Sequence, residues 1–198
     1  MELSHAVSDA ILTLTGFFVF FRYIFKLDLA ACLLWEAFIL SVTVAAMFGV
    51  ARFMGVTEAT MVSEFFQHLA GTVGALCLVF VSFFLVLRKP VPIKFAYVVG
   101  LLGFLAFAAV RIYDRIEVLN AIQTVAIPLV LLIGVWGLFR KERAIGVWLV
   151  LAVIAVVMGT YNKRFMANTF IDSIDLYHYL LAISLLCFGR AARHQVHG

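Results

Sequence analysis

The sequence predicts an all-α integral membrane protein, a seven-transmembrane helix bundle, and two observations lead to this fold class. First, 65% of the 198 residues are hydrophobic and only 13% are charged, which is more apolar surface than a soluble domain of this size can bury. Second, the apolar residues form runs of about 20, the length that an α-helix needs to cross the hydrocarbon core. These runs do not alternate with the period of two that strands of a membrane barrel show.

Seven such runs follow one another along the chain. They are predicted at about 6–25, 30–52, 60–87, 93–111, 117–139, 144–161 and 172–190. Short segments with charge, Pro or Gly separate them, so residues 1–198 are predicted to form a single transmembrane domain. The first run carries Glu2 and Asp9 instead of a basic start and has no small-residue cleavage site after it, which indicates a retained span instead of a signal peptide.

The basic residues of the short connections predict the orientation, because cytoplasmic loops carry an excess of Lys and Arg. Ten lie on one side, namely Arg22, Lys26, Arg88, Lys89, Lys94, Arg140, Lys141, Arg143, Arg190 and Arg193. Five lie on the other, namely Arg52, Arg111, Arg115, Lys163 and Arg164. We therefore expect an outer N-terminus and a cytoplasmic C-terminus, in a bacterial plasma membrane. Membrane lipids are the expected partners, and the net charge of +4 reports topology, not nucleic-acid binding.

Polar residues gather at the predicted outer ends of three spans, where each span places a carboxylate and an imidazole three or four residues apart on one helical face. The residues are His5 and Asp9 with Ser8 beside them in span 1, Glu64 and His68 in span 3, and Asp172, Asp175 and His178 in span 7. Gln123 in span 5 lies at a similar depth. Since ionisable groups inside a membrane are costly, these residues predict a functional site in the outer half of the bilayer.

Histidine and carboxylate ligands from several helices are the means by which bundles build metal sites. Three neutral imidazoles suit zinc and leave a fourth position for water. The sequence therefore predicts one zinc ion held by His5, His68 and His178. The candidate catalytic residues beside it are Glu64, Asp175, Asp9 and Ser8. Two other uses of the same groups stay open: a proton or ion relay, and a polar network that only ties the helices together.

Two segments also resemble the alkaline ceramidase family of seven-helix membrane hydrolases. ELSHAVSDA is similar to the first span of that family, where an acid is followed about six residues later by a small hydroxylated residue and an Asn. LYHYLLAISLLCFGRA is similar to its last span, in which an aromatic–His pair precedes a run that ends in Arg-Ala. Glu64 in MVSEFF stands about where the family has an acidic residue. The wider superfamily includes the progestin and adipoQ receptors, and the resemblance implies a zinc-dependent amidase.

The chain departs from the family pattern at other ligand positions. Where the family has a Ser and a His at the end of span 2, this sequence has Ala45 and Gly49, and Ile174 replaces a second His of the last span. Only His178 carries over among the imidazoles that the family uses. We expect a hydrolase of lipid amide or ester bonds with a rebuilt metal site. The alternative is a non-catalytic seven-helix protein, a ligand sensor, proton or ion relay, or complex subunit, that lost the metal.

Overall fold

The computed structural model describes residues 2–113, 116–141, 143–165 and 172–195. Of the residues that enter the predictions above, Arg115 and the side chain of Arg164 lie outside what is described. Within the described ranges the secondary structure is helical throughout, with no β-strand. Seven helices are long and apolar enough to cross a membrane, which confirms the predicted fold class. The orientation of the termini stays a prediction.

The helices follow the chain in simple order. They are α1 (Glu2–Val19), α2 (Leu29–Phe53), α3 (Ala59–Leu69), α4 (Ala75–Leu87), α5 (Ile93–Ile112), α6 (Ile116–Leu138), α7 (Arg143–Phe165) and α8 (Ser173–Ala192). A π-helical segment, Phe20–Ile24, continues α1, and a second one, Ala70–Gly74, joins α3 and α4 into one span. The first helix begins at Glu2, earlier than the predicted residue 6, so His5 lies inside it.

Local sequence explains where four of these helices begin or end. Gly55, with φ of 99°, follows α2, a left-handed conformation that glycine adopts without strain. Arg88, with φ of 56°, ends α4, and Pro92 then fixes the extended backbone from which α5 starts. The carboxylate of Asp172 caps α8, because its Oδ1 accepts a hydrogen bond of 2.8 Å from the backbone N–H of Ile174.

The spans pack in a closed cycle of contacts. α1 lies between α2 and α8, α8 packs on α7, α7 on α6, α6 on α4, and α4 on α2. α5 packs on α2, α4 and the Ala70–Gly74 segment. Trp35, Leu185 and Phe188 are among the large side chains that are fully buried inside, whereas Leu14, Leu101 and Leu132 are exposed on outer faces. Such exposed apolar faces suit contact with membrane lipid.

Candidate functional site

A buried carboxylate on α8 binds three side chains of α1, and together they form the Asp175 cluster (Ser4, His5, Ser8 and Asp175). Asp175 is only 2% exposed. Its Oδ1 accepts hydrogen bonds of 2.8 Å from both His5 Nδ1 and Ser8 Oγ, and its Oδ2 accepts one from Ser4 Oγ. The carboxylate is thus well supplied with donors, and it ties the first described helix to the last.

The helical spacing predicted for α1 accounts for this contact. His5, Ser8, Asp9 and Thr13 are all buried on the face that meets α8 and α2. Ser8 Oγ also lies 3.0 Å from the carbonyl oxygen of His5, which fixes its hydroxyl within the helix face. The His5 ring packs against Phe53 with ring centroids 5.0 Å apart. His5 is therefore held on both sides by protein groups.

A second pair of groups, Asp9 and His178, lies directly beside the first cluster. Asp9 Oδ1 lies 3.2 Å from His178 Nδ1, and Ser8 Oγ lies 3.0 Å from the same nitrogen. Because an ionised carboxylate only accepts hydrogen bonds, this pairing favours a proton on Nδ1 and leaves the lone pair of the neutral ring on Nε2. A serine triad needs its Ser and its Asp on opposite ring nitrogens, so Ser8, His178 and Asp9 do not form one.

Gly49 gives Asp9 its place against α2. A Cβ atom at Gly49 would lie 2.1 Å from Asp9 Oδ2, so any other residue would have to displace the carboxylate. In the predicted resemblance, Gly49 stands where the alkaline ceramidase family has a zinc-binding His. The space that such an imidazole would start from is therefore filled by the carboxylate of Asp9.

Asp9 and His178 line a cavity of about 610 Å³ inside the helix bundle. His68 and Gln123 add polar groups to the same cavity, while most of its other lining residues are apolar. Ligand sites in proteins have this character: concave, mainly apolar, and about 300–1,000 Å³ in volume, with a few convergent polar groups. The cavity thus joins the predicted polar stripes of spans 1, 3 and 7 through Asp9, His68 and His178.

His68 holds an unused nitrogen at this cavity. Its Nδ1 is buried and has no hydrogen-bond partner among the described residues. The Ala70–Gly74 π-helical segment follows directly, and Thr72 Oγ1 donates a 2.8 Å hydrogen bond to the His68 carbonyl oxygen. π-helical turns often accompany functional sites, and a buried, unpaired imidazole nitrogen is costly unless a ligand uses it.

The other predicted site residues have different places. Glu64 is exposed and is not part of the cavity lining. Ser8 is fully buried and does not line the cavity either, because its hydroxyl is engaged within the Asp175 cluster. Asp172 caps α8. The structure therefore brings Asp9, His68 and His178 to one cavity, places His5, Ser8 and Asp175 just behind it, and leaves Glu64 apart.

Metal-ligand distances favour a different set from the predicted three histidines. Among the His, Cys, Asp and Glu side chains of the described residues, His5, Asp172 and Asp175 are the group whose ligand atoms all lie within 4.8 Å of one another. In that group, however, Asp175 already accepts from Ser4, His5 and Ser8. His5, His68 and His178 do not form such a group in the described structure.

Arg52 and Lys163, which entered only the prediction of topology, both line the cavity. The signal available in the sequence was their position at the same ends of the spans as the histidines.

Comparisons of the chain with protein-family models, with curated proteins and with solved structures found no match. The resemblance to alkaline ceramidases therefore stays a prediction that depends on the two quoted segments and Glu64.

Proposed function

We propose that this protein is a metal-dependent intramembrane hydrolase of lipid amide or ester bonds. The observation that carries the proposal is the cavity of about 610 Å³ that Asp9, His68 and His178 line together with many apolar side chains. The apolar side chains of such a cavity suit the hydrocarbon part of a lipid, and two imidazoles with a carboxylate at its wall are groups that hydrolytic sites use.

The state of the ring nitrogens supports a metal at these residues. Metal-binding histidines usually have their second nitrogen held by a carboxylate, as Asp9 holds His178 Nδ1 at 3.2 Å. The buried Nδ1 of His68 is unpaired among the described residues, as a ligand nitrogen would be in the absence of the ion. His178 and His68 would be two of the zinc ligands, and Asp9 would stay on Nδ1 of His178 as its supporting carboxylate. When bound, zinc polarises a carbonyl and activates water for hydrolysis.

The remaining residues would hold the ligand residues and the helices in place. Asp9 fixes the tautomer and the orientation of His178, and Ser8 and Asp175 hold α1 against α8 so that this geometry persists. The apolar lining would receive the hydrocarbon part of the substrate and exclude water from it. Glu64 lies outside the cavity, so we assign the proton-handling role to Asp9 instead.

We place this site in the outer half of a bacterial plasma membrane, on the basis of the ten basic residues against five in the connections. A reporter fused after residue 198 checks the orientation. Activity of a cytoplasmic reporter is expected, and an extracytoplasmic signal would reverse the assignment of the two sides.

Metal analysis of the purified chain, combined with a hydrolysis assay, tests the function. We expect about one zinc per chain. Fatty acid released from a ceramide, an N-acylethanolamine, a monoacylglycerol and a phosphatidic acid would be measured by mass spectrometry. His68→Ala/His178→Ala is expected to lose both the metal and the release of fatty acid. His194→Ala, at the other end of α8, is the matched control and is expected to keep both.

A well-folded preparation with no bound metal and no fatty-acid release would contradict the proposal. It would favour the second candidate, a non-catalytic seven-helix protein that binds a lipid in the same cavity. The observation in favour of that candidate is that, among the described residues, His5, His68 and His178 do not form a group whose ligand atoms all lie within 4.8 Å of one another.

A further inference from the structure

We propose that the cavity binds a lipid with an anionic, phosphate-bearing headgroup, and that Arg52 and Lys163 contact the phosphate. The inference rests on the proposed function in one respect only: if the protein is a hydrolase, this lipid is its substrate class. The binding itself requires neither the metal nor catalysis. It follows from two cationic side chains that the hydrolytic chemistry does not use.

Arg52 lies in the last turn of α2 and lines the cavity. Its guanidinium carbon lies 4.4 Å from the centroid of the Phe53 ring, so one face of the guanidinium is covered. Its Nε atom is buried and has no hydrogen-bond partner among the described residues. A buried, unpaired N–H of a charged group costs free energy that a ligand oxygen would recover.

Lys163 reaches the same cavity from α7. Its Nζ lies 4.9 Å from the centroid of the Tyr177 ring, and Tyr177 is itself a lining residue. Within the part of the chain that the structure describes, neither Lys163 nor Arg52 lies within 4.0 Å of a carboxylate oxygen. Both cations are thus held over aromatic rings, with hydrogen-bonding capacity left for a ligand.

The charge of the lining favours an anion. Asp9 is the acidic residue in the lining, against the two cations Arg52 and Lys163. Guanidinium and ammonium groups form charge-assisted hydrogen bonds to phosphate, and Arg matches the phosphate oxygens in a bidentate manner. A neutral lipid would fill the apolar part but would leave Arg52 Nε without a partner.

The apolar lining distinguishes a lipid from a free anion. Leu12, Val42, Leu78, Val130, Val153 and Leu181 come from different helices and line the same cavity. Inorganic phosphate would meet the two cations and gain nothing from these side chains, whereas an acyl chain buries apolar surface against them. The combination of two cations and many apolar side chains in one lining therefore indicates an anionic lipid.

Native mass spectrometry of the purified chain in a neutral detergent tests the inference with three probes: dioleoyl phosphatidic acid, dioleoylglycerol and inorganic phosphate. We expect phosphatidic acid to bind at least about ten-fold more tightly than dioleoylglycerol, a difference of about 1.4 kcal/mol, because the two cations form charge-assisted contacts only with the phosphate. Inorganic phosphate is expected to bind more weakly still. Equal binding of phosphatidic acid and dioleoylglycerol would overturn the proposal, as would binding of inorganic phosphate at the affinity of the lipid.

Variants assign the contact to the two cations. Arg52→Gln/Lys163→Gln is expected to bring the affinity for phosphatidic acid down to that for dioleoylglycerol. The matched control is Arg22→Gln/Lys26→Gln, which removes an arginine that lies over the neighbouring Tyr23 ring and a lysine, both outside the cavity lining. Unchanged binding by a folded Arg52→Gln/Lys163→Gln variant would contradict the assignment. If that variant does not fold, the comparison of the three probes on the unmodified chain decides.

This design separates the inference from the proposed function. Tight phosphatidic acid binding by a chain without zinc and without fatty-acid release would leave the lipid site standing and remove the hydrolase. If the chain instead binds zinc, hydrolyses neutral lipids and shows no preference for phosphatidic acid, the hydrolase would stand and the anionic lipid site would be rejected.

Discussion

The Asp175 cluster and the cavity residues Asp9, His68 and His178 are neighbours at one end of the bundle, but they differ in how far their hydrogen-bonding capacity is used. Asp175 accepts from Ser4, His5 and Ser8 and is only 2% exposed. At the cavity, His68 Nδ1 has no partner among the described residues, and both contacts of His178 are made through one nitrogen.

This difference shows which of the two polar regions has hydrogen-bonding groups left to bind a ligand. A buried carboxylate that already has three donors stabilises helix packing, because a ligand would have to replace bonds that exist. Ring nitrogens without a partner can bind a ligand at no such cost. We therefore expect substitutions in the two regions to have separate effects, on stability in the first and on ligand binding in the second.

The largest effect is expected for His178→Ala. It removes a proposed metal ligand, so zinc affinity should fall by more than the 10- to 100-fold that loss of a supporting residue causes. Zinc content and a competition titration with a chelator measure this loss, and Asp175→Asn is the comparison variant. Retention of zinc by His178→Ala, with loss in a folded Asp175→Asn protein, would invert the roles of the two regions.

Asp175→Ala should have the next largest effect, and this effect should be a loss of folding stability. It leaves Ser4, His5 and Ser8 without their acceptor, at a cost of about 1 kcal/mol for each donor. Thermal unfolding in detergent measures the loss. Ser184→Ala is the matched control on the same helix, because Ser184 is buried and its hydroxyl has no partner among the described residues. Equal melting temperatures for the two variants would show that the Asp175 cluster does not hold α1 to α8.

Asp9→Asn should weaken zinc binding by about 10- to 100-fold with little change in the melting temperature, since it removes the charge that holds His178 Nδ1. The same titration as for His178→Ala measures it. A variant that binds zinc as tightly as the unmodified chain would show that Asp9 does not orient the imidazole.

The smallest effect is expected for Gly49→Ala, which tests the same contact indirectly. Its Cβ would lie 2.1 Å from Asp9 Oδ2, so the carboxylate must shift away from its place beside His178. We expect a loss of zinc affinity of up to about ten-fold, below that of Asp9→Asn. Gly100→Ala on α5 is the matched control, because a Cβ there has no atom within 4 Å. Identical zinc affinities for the two alanine variants would refute this packing argument.

Helical spacing predicted much of the fold and part of the site. The lengths of the apolar runs gave the seven helices, and the three- and four-residue steps gave the buried faces of α1 and α8. The period of the helix alone fixes which residues share a face, so these features can be read without tertiary structure.

Contacts between helices could not be predicted in the same way. Nothing in the spacing showed that Asp175 would accept from three α1 side chains, or that Asp9 would fill the space above Gly49. Glu64 and His68 share a predicted face, yet only His68 reaches the cavity. Arg52 and Lys163 occur where interfacial cations occur in many membrane proteins, and only the packing of α2 and α7 shows that they line a cavity.

The contact between α1 and α8 also has a consequence for the order of assembly. His5 and Asp175 are 170 positions apart in the chain, and every other described helix lies between them. While the chain is being synthesised, α1 is therefore expected to enter the membrane before the α8 partners of Ser4, His5, Ser8 and Asp9 are in place. Unsatisfied polar groups are costly in hydrocarbon, so the nascent protein is least stable before its last helix inserts. A chain that lacks α8 would leave the polar face of α1 exposed to lipid, so we expect it to be less stable in the membrane than the chain that has α8.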